Sequence, residues 1–300
     1  MRILVTGATG YIGSAVCETL QANGHHVVAL VRSPEKRAVV ETLGYEAISG
    51  DLTDLSSLRS AAAGANGVIH TAMAGGADAG AVDRAAVAAM LDALAGSGKP
   101  FVYTSGVWVY GDTQGRVAGE VSMLRPAAIV TWRPAVEELV LESKSRDVAP
   151  VILRPGMVFG RGGGFVGMMF HQALTDGKVT IPGDGENHWS SIHVEDLADL
   201  YAHAVADPAA GELFVACGGM PQPLRKIALA VTKACGIDGK VERFPLPQAR
   251  ARFGPVADCM AMDQKVASTK AARFFGWTAK RPSIFEEIFS GSYLIAPPGR

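Results

Sequence analysis

The chain opens with Arg2-Ile3-Leu4-Val5-Thr6-Gly7-Ala8-Thr9-Gly10-Tyr11-Ile12-Gly13, a short apolar run leading through three evenly spaced glycines straight into a helix. Gly7 permits a tight strand-to-helix turn, Gly10 lets backbone amides approach a pyrophosphate, and Gly13 lets the helix lie close on a sheet. The pyrophosphate is expected at the positive N-terminus of that helix. A glycine triplet alone is a weak signal. This one follows a strand, starts an amphipathic helix carrying Val16 and Leu20, and precedes a second strand from Val27 to Val31. Thr9, Tyr11 and Ile12 join Gly7, Gly10 and Gly13 as candidate cofactor contacts.

Short β-branched runs then alternate with Ala- and Leu-rich stretches, the pattern of a parallel sheet with right-handed helical crossovers. Strands are expected near 2–6, 26–31, 45–48, 67–70, 100–104 and 150–154, with amphipathic helices over Ala81 to Leu94 and Val136 to Glu142. After Phe159 the pattern breaks into a glycine-rich loop, Gly160 to Gly164, which reads as a mobile lid hinge. A Met- and Phe-rich segment from Phe165 to Phe170 follows it. The expected fold class is α/β: a Rossmann-type, doubly wound parallel sheet with a smaller C-terminal substrate-binding region. Residues 1–158 form the nucleotide-binding domain, completed by about 190–217, and residues 159–189 and 218–300 form the substrate region. The final Pro297-Pro298-Gly299-Arg300 reads as a frayed tail.

A chain of 300 residues, 48% of them apolar, can bury a large core. A formal net charge of −1 gives no electrostatic case for nucleic acid or membrane as partner. Cys17, Cys217, Cys235 and Cys259 are scattered without metal-ligand spacing, so free thiols in a reducing compartment and no metal site are expected. No run of about eighteen uncharged apolar residues occurs. The expectation is a cytoplasmic protein acting on a small molecule.

The end of the second strand bears on cofactor type, because a carboxylate there grips the ribose 2′-hydroxyl of NAD whereas cations accommodate the 2′-phosphate of NADP. Here the chain reads Leu30-Val31-Arg32-Ser33-Pro34-Glu35-Lys36-Arg37. A guanidinium can bind phosphate bidentately, so Arg32 points to NADP(H) over NAD(H). The competing reading makes Arg32, Lys36 and Arg37 a solvated helix start.

Further motifs extend along the chain: Gly50-Asp51-Leu52, Val68-Ile69-His70-Thr71-Ala72, Tyr103-Thr104-Ser105-Gly106 with Val109-Tyr110-Gly111, Leu153-Arg154-Pro155-Gly156 with Phe159-Gly160, and Ile192-His193-Val194-Glu195-Asp196. With the glycine turn they make a sequence that resembles the extended short-chain dehydrogenase/reductase family, which includes nucleotide-sugar epimerases and dihydroflavonol-type reductases. The resemblance implies that Asp51 and Leu52 border the adenine and that Thr71 and Ala72 run beside the cofactor. It also implies that the Pro155 turn ends near the nicotinamide. Thr104 joins the cofactor contacts. In relatives, two helices at the places of 81–94 and 136–142 form a dimer interface, so a homodimer is one expectation and a monomer the other.

The catalytic position departs from the family. Most members carry a Tyr-x-x-x-Lys pair in which the lysine lowers the phenol pKa. Here Trp132 and Val136 stand at those places, and Gly106 replaces the last residue of a Ser/Thr triplet. Pro134 places a helix start near Thr131 or else kinks the helix. Ser105, Tyr110 and His188 remain as candidate catalytic groups. Ser105 could instead bond local backbone, and Tyr110 could simply pack. Arg133 could stabilise an oxyanion, although a solvated helix-start arginine is the plainer reading. His193 reads as mainly structural.

Relatives that bind nucleotide sugars carry an asparagine and an arginine where this chain has Met157 and Trp189, which argues against such a substrate. Met73, Trp108, Trp132, Met157, Phe165 and Trp189 instead suit an apolar or aromatic small molecule, with core packing as the competing role. The expected function is an atypical NADP(H)-dependent oxidoreductase acting on a carbonyl, imine or activated alkene. A non-catalytic NADP(H) sensor, or a redox-neutral epimerase, isomerase or lyase that retains its cofactor, stands as the alternative.

Overall fold

The computed structural model describes residues 1–294; the tail read at Pro297 to Arg300 lies outside the described residues. The chain divides into two units, the first made of residues 1–105, 132–154 and 197–214, the second of 106–131, 155–196 and 215–300.

The first unit is built on a seven-stranded sheet. Strand β1 (Arg2–Thr6) leads into helix α1 (Tyr11–Ala22), and β2 (His26–Val31) into α2 (Pro34–Thr42). β3 (Glu46–Ser49), α3 (Leu55–Ala63), β4 (Gly67–His70), α4 (Ala79–Leu94) and β5 (Pro100–Thr104) continue the alternation. Helix α5 (Arg133–Glu142) precedes the strand Ala149–Pro155, and the strand Glu212–Ala216 closes the sheet. From one edge, the strands run Glu212–Ala216, Ala149–Pro155, β5, β4, β1, β2, β3. Neighbours pair in parallel, with Leu4 opposite Val28 on one side and Val68 on the other. Strand order reverses at β1, between β2 and β4, and this switch point is where such sheets bind ligands. The strands near 2–6, 26–31, 67–70 and 100–104 match their expected bounds, and the others differ by a residue or so.

Local chemistry explains the helix boundaries. Ser33 caps α2, accepting a hydrogen bond from Lys36 N, with Pro34 in the first turn; Asp54 caps α3 through Ser57 N. Pro134 sits in the first turn of α5, where its missing N–H costs nothing. On α4 the buried positions Asp83, Ala86, Val87, Met90, Leu91 and Leu94 follow the helical period, so the stripe facing the core is apolar except at Asp83. These residues pack with Leu4, Val68, Phe101, Tyr103, Val136 and Val140 into one core.

The second unit is assembled from short strand pairs and helices. Met157–Gly160 pairs in parallel with Ser191–His193, and Val179–Pro182 with Val241–Phe244. Its core gathers Phe159, Met169, Phe170, Ile181, Trp189, Leu224, Ile227, Met260 and Ile288.

The structure corrects two expectations. Residues 106–131 fall in the second unit, because after β5 the chain leaves the sheet and Val107, Val109 and Tyr110 pack with Ala118, Val215 and Val266. The Gly160 to Gly164 turn is held down: Gly160 N donates to Tyr293 Oη at 2.7 Å and Gly162 N to Ser292 Oγ at 2.8 Å. Tyr293 Oη in turn donates to Gly163 O, and Arg161 pairs with Glu195. A turn tied to the C-terminal segment at several points is not a lid hinge.

Arg154 and Glu137, both buried, form a two-point ion pair between the strand Ala149–Pro155 and α5. Removing one partner strands a desolvated charge, which costs about 3–5 kcal/mol. Glu137→Ala is therefore expected to lower stability by that amount in urea unfolding, whereas an exposed i,i+4 partner such as Glu41 should change it by about 0.5 kcal/mol or less.

Candidate functional site

The glycine turn has the geometry that a dinucleotide requires. Gly7 has φ +75°, and a Cβ there would lie 2.8 Å from Ala72 N and 2.9 Å from Thr71 Oγ1. A Cβ on Gly13 would lie 2.1 Å from Gly7 O, so α1 approaches the end of β1 as closely as backbone permits. Gly10 is exposed and stands at the N-cap of α1, where a glycine supplies no capping side chain, and the first turn carries no acidic residue. A helix N-terminus without a capping side chain or first-turn carboxylate, beside a backbone cradle without Cβ atoms, fits a pyrophosphate. Thr71 closes on β1, its hydroxyl donating to Thr6 O at 2.8 Å. Leu52 is buried with Leu30 and Leu58. Asp51 accepts hydrogen bonds from Thr53 N and Oγ1, which hold its carboxyl below the usual range.

The cations after β2 separate. Arg37 turns back to β3, donating to Ala47 O and Ser49 Oγ, and pairs with Glu41. Arg32 is left extended into solvent, its side chain 80% exposed and its Nε 3.9 Å from Asp51 Oδ2. It is the guanidinium of this cluster that is not tied to backbone.

At the end of β5 the side chains alternate. Tyr103 donates to Asp83 Oδ2 at 2.7 Å, while Thr104 Oγ1 lies 2.6 Å from Tyr201 Oη. Burial and the Asp83 carboxylate push the Tyr103 phenol far up, so it stays a donor. Ser105 follows; its N donates to Leu153 O, but its buried Oγ has no hydrogen-bond partner among the described residues. Its hydroxyl therefore does not serve local backbone. Arg133 is not a solvated helix-start residue. Its Nη1 donates to Thr104 O at 2.6 Å and reaches Tyr103 Oη at 3.5 Å, and its Nη2 lies 3.5 Å from Met73 Sδ. Its guanidinium also sits 4.7 Å over the Trp132 ring. Trp132 itself rests on α4, where a Cβ at Gly80 would come within 2.6 Å of its Cγ. Val136, at the lysine place, is core. The structure thus brings Met73, Trp132, Arg133 and Thr104 together, with Ser105 next to Thr104 in the chain.

Within the second unit, Phe165 lies between Trp108 and Trp189, with ring centroids 6.2 and 5.8 Å away. Trp108 and Phe165 are half-buried. Trp189 is core instead of pocket wall, 1% exposed with Nε1 donating to Met260 O, and Met157 is packed into the same core. Tyr110 is likewise buried by packing, and Pro155 is buried where its strand ends. His188 stands on a short strand and not on a loop. Both its N and Nδ1 meet Asp263 Oδ1, at 2.7 and 2.8 Å, and Asp263 also accepts from Gly115 N. Burial raises the Asp263 carboxyl, but these hydrogen bonds outweigh it and hold the group below its usual range. The pair orients the imidazole as part of a tether among three segments. His193 is held structurally, its Nδ1 accepting from Glu195 N, and burial lowers its pKa. Burial pushes the Cys17, Cys217 and Cys259 thiols up to about 12, which leaves no thiolate among them near neutrality. Among the described residues no cluster of His, Cys, Asp and Glu could hold a metal, and no helix is long and apolar enough to cross a membrane.

The profile of the NAD dependent epimerase/dehydratase family matches residues 3–217. The chain belongs to that family. Across 96% of its length it is 31% identical to an uncharacterized protein of Saccharomyces cerevisiae, 98% of which is covered. It is also 30% identical to a 2-alkyl-3-oxoalkanoate reductase of Stenotrophomonas maltophilia, over 79% of this chain and 76% of that one. Among solved structures, the UDP-glucose 4-epimerase of Thermus thermophilus in complex with NAD superposes with a TM-score of 0.81 at 22% identity, covering 99% of each chain. This likeness establishes the fold.

As a member of a nicotinamide-dependent family, the protein should separate the roles of its glycines. A Cβ at Gly10 meets only Gly7 O, at 3.1 Å, so Gly10→Ala should change stability by less than about 1 kcal/mol while weakening dinucleotide binding. Gly13→Ala forces α1 off β1 and should cost about 3 kcal/mol of stability. Unfolding curves beside dinucleotide titrations of the two variants check this.

Proposed function

We propose that the protein is an NADP(H)-dependent reductase of small carbonyl compounds with an apolar body, in which Ser105 and Arg133 replace the usual tyrosine and lysine. The observation that carries this reading is the buried, unpartnered Ser105 Oγ at the C-terminal end of β5, one residue beyond the carbonyl that fixes the Arg133 guanidinium. A buried hydroxyl without a partner costs free energy, and such orphans call for an unfilled role. When bound, the dinucleotide supplies a hydride. The protein then has to hold the oxygen that acquires charge, which Ser105 does by donating a hydrogen bond and Arg133 by its fixed positive charge. The glycine turn and Thr71–Ala72 would hold the cofactor, with Arg32 on its 2′-phosphate. One relative is named for reducing a 2-alkyl-3-oxoalkanoate, a ketone that carries an alkyl body beside a carboxylate, and that chemistry supports a carbonyl substrate here.

Two measurements test the reading. Ser105→Ala and Arg133→Gln should each lower kcat about 10- to 100-fold with ketone substrates, the worth of one hydrogen bond to a developing charge. NADPH affinity should stay within about twofold. Arg32→Asp should weaken NADPH binding about 10- to 100-fold and leave NADH unchanged or tighter; equal losses for both would move the phosphate site elsewhere. Nucleotide released in stoichiometric amount from freshly purified, denatured protein would instead favour a redox-neutral epimerase, isomerase or lyase. Uptake of NADPH without turnover of any carbonyl compound would favour a sensor.

A further inference from the structure

The polar groups inside the first unit form one connected chain. Asp83, 2% exposed, projects from α4 and receives Tyr103 Oη on Oδ2 at 2.7 Å and His70 Nε2 on Oδ1 at 3.0 Å. His70, 1% exposed, meets Thr6 Oγ1 through Nδ1 at 2.7 Å. Ala72 N lies 3.4 Å from the same Thr6 oxygen. At the other end, Arg133 Nη1 reaches Tyr103 Oη and Thr104 O. Ends of β1, β4 and β5, the α4 helix and the start of α5 are thus wired to one buried carboxylate.

Hydrogen-bond accounting fixes the direction of this chain. A carboxylate only accepts, and the Tyr103 phenol donates to Oδ2, so His70 must present Nε2–H to Oδ1. In a neutral imidazole Nδ1 is then the acceptor, Thr6 gives it the hydroxyl proton, and the Thr6 oxygen is free to accept Ala72 N–H. We infer that Asp83 is a positioning residue with two arms. Through Tyr103 it holds Arg133 beside Ser105, and through His70 and Thr6 it holds the Ala72 segment against Gly7 in the dinucleotide turn. The Tyr103 arm rests on the reductase reading of Arg133; the His70 arm does not.

The arms can be cut separately in the full-length protein. Tyr103→Phe removes the phenol that links Asp83 to Arg133, and should lower kcat about tenfold while NADPH affinity stays within about twofold. His70→Gln interrupts the other arm, and should weaken NADPH binding severalfold while kcat at saturating NADPH stays within about twofold. In the unmodified protein, ¹⁵N resonances of the His70 ring should show Nε2 protonated and Nδ1 bare, and Asp83→Asn, which can offer an N–H to the ring, should disturb that pattern. Scaffolding alone would lower stability in both variants without separating kcat from affinity, and that result would overturn the inference. So would a His70 ring protonated on Nδ1. If the unmodified protein reduces no carbonyl compound, the reductase reading fails, whereas the affinity and ring measurements still decide the His70 arm.

Discussion

The approach of α1 to the end of β1 is the constraint on which the rest of the first unit depends. With Gly13 against the Gly7 carbonyl, no side chain can intervene, and the amides of the first helical turn open at the switch point of the sheet. The same closeness brings Thr71 and Ala72 onto Gly7, so the ends of β1 and β4 behave as one piece of backbone. A dinucleotide site of this kind is made by the main chain. Side chains around it tune which dinucleotide it takes and what happens at the nicotinamide end.

On the proposed reading, a serine and an arginine do the work of the usual tyrosine and lysine, and this changes how the end of β5 can work. A phenol lowered by a lysine is itself the titrating group, and its activity follows its ionisation. A guanidinium stays charged throughout the physiological range and holds its charge in a planar fork, so on the proposed reading it provides constant electrostatic stabilisation and no proton. The proton must then pass through a hydroxyl or through water. That is the division of labour offered by Arg133, bonded to Thr104 O, and Ser105, whose hydroxyl is unpaired.

Much of this was legible in the sequence because it is local. The glycine spacing, the strand runs and the Pro134 helix start depend on neighbours a few residues away, and the structure has them where the pattern places them. What was not legible depends on tertiary direction. Whether Arg133 points to water or folds back over Trp132 is decided by Thr104, almost thirty residues earlier. Trp189 looked like pocket lining because a large aromatic carries the same signal in a core and in a cleft; only its bond to Met260 O distinguishes them. The Gly160 to Gly164 turn read as a hinge because its anchor, Tyr293, lies about 130 residues away. The one available signal for Asp83 was a carboxylate on the apolar stripe of α4, three residues before Ala86 and four before Val87.

That carboxylate also shows why a polar group persists where an apolar one would pack. A leucine at the same place would avoid desolvating a charge, and buried ionic groups often contribute little net stability. An apolar contact, however, has no preferred direction and would let α4 slide along the sheet at little cost. Two donors on the two oxygens of Asp83 fix the rotation and height of α4 against His70 on β4 and Tyr103 on β5 to within the tolerance of a hydrogen bond. Since Trp132 rests on Gly80 of the same helix and stacks beneath the Arg133 guanidinium, the setting of α4 passes to the guanidinium by packing as well as by hydrogen bonds. The desolvation of one charge is therefore offset by registry among five elements, β1, β4, β5, α4 and α5, that meet at the dinucleotide turn and the Arg133 cluster.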